Sequence, residues 1–319
     1  MNNQPLLDEI PSLDLSDFTS GNAIQKEQFI QTLGNAFNNI GFVALKNHGL
    51  SDELRENLYE ASKEFFSLSD EQKKQYEHPE LAGQRGYVGK GKETAKGHSR
   101  PDLKEFYHIG QPNPTGNMPA NVFPVEIPAF ETYSIATYQI FEQTGKTLLQ
   151  AIALYLGLDQ SYFEDKVANG DSILRALHYF PIENPETVPS DAVRAAAHGD
   201  INLITLLMGA SADGLEVLRR DGKWIGITAL PEQIIVNVGD MLDRLTNNRL
   251  KSTVHRVVNP PIEKMRTSRF SMPFFMHPRA DMDLTSLSSC VNEENPKLYT
   301  DMTAGQFLDE RLRELGLRK

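Results

Sequence analysis

The chain is poor in thiols and in indole: its 319 residues hold one cysteine and one tryptophan. A single thiol excludes an intramolecular disulfide framework and any all-thiolate metal cluster. Cys290 has no companion motif and reads as a bystander rather than a nucleophile. No run of about 18 apolar residues is present, so the sequence offers no transmembrane helix. The first residues, MNNQPLLDEIPSLDL, have neither a basic n-region nor an apolar h-region, which leaves a cytoplasmic location as the expectation. Positive charge is in deficit: 32 Lys and Arg stand against 43 Asp and Glu, a formal −11. That is not the basic footprint of a nucleic-acid binder. The expected partner is therefore a small molecule, with no nucleic acid and no membrane, and the protein is expected to act as a monomer or weak homo-oligomer. Repeats and low-complexity tracts are also missing. What the chain does have is eight histidines. A transition-metal site here would have to use imidazole and carboxylate.

The apolar pattern divides the chain. Residues 10–16 alternate like a short strand. Asn22 and Gln25 form a capping pair before Phe29, Leu33, Phe37 and Ile40, which predict an amphipathic helix of about 16 residues. GFVALKNHG (41–49) reads as a strand ending in a turn. Ser51 opens a second helix, and Ser69 with Gln72 caps a short third one. Residues 79–128 are rich in Gly and Pro and read as a long loop, the kind that is usually functional. Residues 129–157 form the longest helical pattern, stopped at Gly157. Beyond residue 170 short apolar runs alternate with turns, and Trp224, beside a DG turn, reads as core. Thr303 and Gln306 cap a closing helix. The pattern predicts an α+β protein: a double-stranded β-helix, or cupin-like jelly roll, with a helical N-terminal part and a C-terminal helix. The expected division is an N-terminal region of residues 1–128 and a core of residues 129–319, acting as one catalytic unit.

The chemistry concentrates at His198-Gly199-Asp200. On a strand, residues i and i+2 share a face, so an imidazole and a carboxylate would converge, with Gly199 leaving room between them. INLITLLM, which follows, reads as a core strand holding the pair. His255, in STVHRVV, can supply a third ligand. Two histidines and a carboxylate form the facial triad of non-haem Fe(II) oxygenases, which leaves positions open for a bidentate co-substrate and O2. Arg269 and Ser271 share a face by the same rule, and a guanidinium fork beside a hydroxyl suits a carboxylate. Tyr179 can add a hydroxyl, and Arg175, on the same face, can meet a charged substrate group. His178 faces the other way and reads as structural. Asp240, in NVGD, reads as a turn residue.

The set H198-G-D200, TNNRLKSTVH255RVVN and R269-F-S271 resembles the isopenicillin N synthase-like Fe(II)/2-oxoglutarate-dependent oxygenases. IPSLDLSDF, IGFVALKNHGL, FFSLSDEQKKQY and ILRALHYFP extend the resemblance over nearly the whole chain. It implies a non-haem dioxygenase N-terminal region and an oxygenase core, with Fe(II) held by His198, Asp200 and His255 as the catalytic triad. It also implies 2-oxoglutarate bound through Arg269, Ser271 and Tyr179, with O2 consumed and succinate and CO2 released as a C–H bond is oxidised, usually by hydroxylation. Substrate contacts are expected at Arg85, Tyr87, Arg175, Phe275 and the 79–110 loop, which suits an amino acid or other carboxylate. Leu177 stands where many members have Asn, Phe180 where they have Pro, and Gly199 where they have Thr or Glu. Two alternatives stay open: an Fe(II) oxidase of the same family that does not use 2-oxoglutarate, and a non-catalytic binding protein on the same fold.

Overall fold

The computed structural model describes residues 6–81, 83–93, 102–116, 118–189, 192–208, 214–227 and 230–314. In chain order the first half holds β1 (Ser12–Asp14), α1 (Leu15–Thr19), α2 (Ala23–Asn39), β2 (Phe42–Lys46), α3 (Asp52–Phe66), α4 (Asp70–Lys74), β3 (Gly86–Val88), β4 (Glu105–Ile109) and α5 (Pro128–Tyr155). The second half continues with α6 (Glu164–Val167), β5 (Ile173–Tyr179), β6 (Ala195–His198), β7 (Ile204–Met208), β8 (Leu215–Leu218), β9 (Trp224–Gly226), β10 (Ile234–Val238), α7 (Asp240–Leu245), β11 (His255–Val257), α8 (Ile262–Met265), β12 (Arg269–Met276) and α9 (Ala304–Glu314).

The helix ends follow local chemistry. The Asn22 side chain accepts from the backbone of Gln25 at 3.0 Å, while Gln25 accepts from the Asn22 N–H at 3.1 Å, closing a capping box. Ser69 with Gln72 and Thr303 with Gln306 do the same. Helix α5 starts at Pro128, whose ring presets the helical φ. It stops at Gly157, which takes φ +73° while Leu158 N–H reaches Ala153 O at 2.9 Å, a Schellman closure.

Two sheets face each other. The larger runs β1-β2-β10-β7-β12-β5-β4-β3 and the smaller β6-β11-β8-β9. Apart from the parallel β1–β2 pair, the pairings are antiparallel. This is the jelly roll the alternation predicted. Helices α2, α3 and α5 cover the outer face of the large sheet with Leu33, Phe37, Phe65, Phe141 and Leu148, all buried. A second, smaller cluster lines the space between the sheets: Phe42, Phe106, Leu177, Tyr179, Leu215, Val217 and Ile235 among others. Strands β1 to β4 hydrogen-bond into the same large sheet as β5, β7, β10 and β12, so both halves of the chain build one wall.

Three expectations need correction. Residues 79–128 are not one long loop, because β3 and β4 lie within them and extend the large sheet. Strand β4 is buried on both faces, so it shows no period-2 alternation in EFYHI, and its charged members are paired rather than solvated. Second, Asp200 is not on the His198 strand: β6 ends at His198, and Asp200 lies in the turn before β7. Third, Trp224 is half-buried rather than core, with the Arg256 guanidinium 4.0 Å over its ring.

Candidate metal centre and substrate cavity

Cross-strand pairing assembles the triad. His198, at the end of β6, sits directly opposite His255 on β11, and their ring centres are 4.6 Å apart. Asp200 Oδ1 lies 4.0 Å from His198 Nε2 and 3.8 Å from His255 Nε2. One ligand atom from each residue falls within 4.8 Å of the others. The far side of every ligand is tied. His198 Nδ1 donates to Ala196 O at 2.7 Å and His255 Nδ1 to Thr253 O at 3.2 Å, which fixes the tautomer and leaves both Nε2 lone pairs free. Asp200 Oδ2 accepts from Thr205 Oγ1 at 2.6 Å and Asn237 Nδ2 at 2.8 Å, so Oδ1 is turned to the histidines.

The electrostatics suit a cation. Burial and the neighbouring His255 lower the His198 pKa to about 4, so its ring is neutral at physiological pH. Burial alone would raise Asp200, but His255, His198 and its two side-chain donors hold it below the ordinary carboxylate value. Two imidazoles and one carboxylate, without a thiol, match the donor set of mononuclear ferrous sites. The single cysteine, Cys290, is buried and belongs to the outer core cluster. Gly199 is enclosed: a Cβ there would lie 3.0 Å from Asp240 Oδ1 and 3.1 Å from Ser252 Oγ. Asp240 itself opens α7, after Gly239 at the N-cap, and accepts from Ser252.

The strand pair β5–β12 carries Arg175, Tyr179, Arg269, Ser271 and Phe275. Arg269 stands opposite Tyr179 and Ser271 opposite Leu177. The Arg269 guanidinium is 4.9 Å from the Tyr179 ring centre. The same strand pair ends at the cavity. A cavity of about 760 Å³ is lined by His198 and Asp200, by Arg175 of β5, by Phe275 and His277 of β12 and its exit, and by Leu308 and Arg311 of α9. Tyr87 also lines it, donating its hydroxyl to Glu105. Arg85 does not: it is fully buried, pressed against Gly110 and paired with Asp171 at 3.1 Å. The 79–110 loop reaches the cavity through Pro79, Gly83, Gln84, Glu93 and neighbours, while residues 82 and 94–101 of it lie outside the described residues.

Arg175 is held by two rings, a histidine and a carboxylate, with Glu93 Oε2 lying 3.5 Å from its guanidinium. Its guanidinium lies 4.2 Å from the Phe106 ring centre and 5.1 Å from that of Phe275. Its Nε donates to His108 Nε2 at 2.7 Å, and His108 Nδ1 donates to Gly83 O. Burial and the Arg175 charge keep His108 well below the ordinary imidazole pKa, so it is a neutral acceptor. Beside it Lys104 lies between Glu93 (2.8 Å) and Asp102 (2.7 Å). Burial opposes both charges, yet the pairing raises the Lys104 pKa and holds Glu93 low. Asp102 also accepts from the backbone N–H of Ala196, on the His198 strand. His178 faces away from the cavity, bonded to Glu105 at 2.8 Å and Ser268 at 3.0 Å. Sequence reasoning missed His108, Lys104, Glu93, Asn237 and Thr205. A polar residue inside an apolar run, as in IIVNV and NLIT, was the signal for the last two.

A jelly roll enclosing a His-Asp-His triad with one open face defines a mononuclear non-haem iron oxygenase. Comparison with known proteins narrows the class. The family model described as the N-terminal region of the non-haem dioxygenase in morphine synthesis matches residues 10–126, and that of the 2OG-Fe(II) oxygenase superfamily matches residues 170–278. Proline hydroxylase buaE of Petromyces alliaceus is 33% identical over 317 residues, covering 95% of this chain and 98% of its own. The 2-oxoglutarate-dependent dioxygenase frbA of Dothideomycetidae sp. is 31% identical, covering 95% and 96%. Among solved structures, a 2OG-Fe(II) oxygenase family protein from Caulobacter crescentus is 45% identical with a TM-score of 0.85, covering 96% of this chain and 98% of its own. A full-length Neurospora crassa protein, solved in complex with alpha-KG and thymine, is 30% identical with a TM-score of 0.86, covering 98% of both chains. The chain belongs to the 2OG-Fe(II) oxygenases, in their isopenicillin N synthase-like superfamily. It is an Fe(II)- and 2-oxoglutarate-dependent dioxygenase that uses O2 to oxidise a small molecule. Among the described residues no helix is long and apolar enough to cross a membrane.

Proposed function

We propose that the protein hydroxylates a small amino acid or related carboxylate, with Fe(II) on His198, Asp200 and His255 as catalytic ligands and 2-oxoglutarate anchored by Arg269, Ser271 and Tyr179. The bound iron supplies the O2 activation that breaks the C–H bond. The chain's own residues supply the rest. Ala196, Thr253, Thr205 and Asn237 orient the ligands. Arg269 and Ser271 offer a charged fork and a hydroxyl to the far carboxylate. Arg175 binds the substrate carboxylate, Phe275 and Tyr87 shape the cavity beside it, and Arg85 braces that wall from behind. One observation carries the substrate class: Arg175 is locked by a neutral His108 between two aromatic rings, in a cavity that His198 and Asp200 of the iron triad also line. Lys104, Glu93 and Asp102 give the same wall both charge signs, which suits a zwitterion. The cavity, about 760 Å³, has the size of a small-ligand pocket. The relative named a proline hydroxylase supports an amino-acid substrate. Residues 1–128 and 129–319 act as one catalytic unit, because strands of both line this wall.

The test is anaerobic loading with Fe(II) and 2-oxoglutarate, followed by a panel of amino acids and small carboxylates. A weak visible band that shifts with one of them, and a product heavier by one oxygen with matched succinate, is the expected result. Turnover without succinate would select the 2-oxoglutarate-independent reading, and failure to bind iron the non-catalytic one. Arg175→Gln should raise the substrate KM about 10- to 100-fold, the weight of one charge-assisted hydrogen bond. An unchanged KM would remove Arg175 from the substrate site.

A further inference from the structure

Arg194 stands just ahead of β6 and is 5% exposed. Its guanidinium lies 5.5 Å from the Tyr179 ring centre, the ring that the Arg269 guanidinium approaches at 4.9 Å. Among the described residues no carboxylate or hydrogen-bond acceptor meets it. The neighbouring charge that acts on it is Arg269, which repels it. Burial and Arg269 both push its pKa down. A buried cation is normally paired or serves a ligand. Here a second guanidinium approaches the same aromatic ring, which raises the cost of leaving Arg194 without an anion. Arg194 is absent from the wall of the substrate cavity, where Arg175 and Lys104 supply the positive charge. Opposite Ser271, Leu177 offers only methyl groups, so the inner end of the site is short of a polar contact that Arg194 can provide.

We propose that Arg194 is a second guanidinium of the co-substrate pocket, so that the far carboxylate of 2-oxoglutarate is gripped between Arg194 and Arg269. The proposal rests on the assignment of Arg269, Ser271 and Tyr179 to that carboxylate. Two arginines on one carboxylate make binding depend strongly on that group. A 2-oxo acid without it, such as pyruvate, gains nothing from either residue.

The test compares the whole Fe(II)-loaded protein with Arg194→Gln, Arg194→Lys and Arg269→Gln under anaerobic conditions. 2-Oxoglutarate and pyruvate are titrated by the visible band and by calorimetry. Arg194→Gln should weaken 2-oxoglutarate roughly 10- to 100-fold, as expected for a hydrogen bond to a charged group. Its pyruvate affinity should stay within about twofold of the parent, and Arg194→Lys should recover part of the loss. Thermal midpoints without ligand check folding. If Arg194→Gln does not fold, Arg194→Lys carries the comparison and should weaken 2-oxoglutarate but not pyruvate. Equal loss for both acids would mean that Arg194 only packs on Tyr179, and the proposal fails. The proposal also fails if Arg269→Gln loses 2-oxoglutarate while Arg194→Gln binds it normally. If neither variant loses it, the pocket assignment itself is wrong.

Discussion

Replacing Glu105 by glutamine removes one charge from a carboxylate that joins four elements of the substrate wall. Glu105 is 1% exposed, on β4. Its oxygens meet Lys73 of α4 at 2.9 Å, His178 of β5 at 2.8 Å and the Tyr87 hydroxyl of β3. Lys73 is itself buried, and its other acid, Asp70, is mostly exposed. Burial alone would raise the Glu105 pKa, but His178, Tyr87 and Lys73 outweigh it and lower it from 4.5 to about 2. That drop corresponds to about 3 kcal/mol of stability when the group is ionised in both states. The folded pKa lies below the unfolded one, so the contribution is complete above the ordinary value of 4.5. It is lost as pH falls from there through about 2. Glu105→Gln should therefore lower the thermal midpoint by roughly 6 °C at neutral pH, at about 2 °C per kcal/mol for a large chain. Melts followed by circular dichroism at pH ~7 and pH ~3.5 give the test, and the gap should shrink by about two fifths at the lower pH. A gap that is absent at neutral pH, or unchanged by acid, would refute the argument that the charge of Glu105 stabilises this wall.

Other outcomes follow from the same geometry. His198→Ala should abolish stoichiometric Fe(II) binding and the visible band with 2-oxoglutarate, while circular dichroism stays that of the parent; retained iron would remove His198 from the ligand set. Asn237→Ala frees Asp200 Oδ2 from one donor at 2.8 Å and should weaken iron binding about 10- to 100-fold, read by competition with a chelator. Gly34→Ala places a Cβ 2.1 Å from the Tyr155 ring between α2 and α5. It should cost about 1–3 kcal/mol through overpacking, although alanine is the better helix former; an unchanged or higher melting midpoint would show that the two helices separate freely.

Much of this was legible in local sequence, where the signal is itself local. The capping pairs at Asn22, Ser69 and Thr303 announce helix starts because their partners lie three residues away. The Arg269-Phe270-Ser271 spacing announces a shared face because a strand alternates. The β3–β4 pair was hidden, since a strand buried on both faces shows no alternation and its charges look like loop composition. Asp200 was placed near His198 for the wrong local reason: the turn after β6, not the strand, brings it in.

The sequence by itself determined most element types, the jelly-roll class and the identity of the three ligand residues, because capping, apolar periodicity and donor chemistry are written in residue order. Tertiary structure alone decided which arginines do what. Arg85, Arg175 and Arg194 look alike in a string of letters. Their partners come from segments 86, 67 and 15 positions away. One is sealed against Asp171, one is aimed into the cavity by His108, and one is left facing Tyr179 beside Arg269. A guanidinium takes its role from the charges around it, and folding brings those charges together.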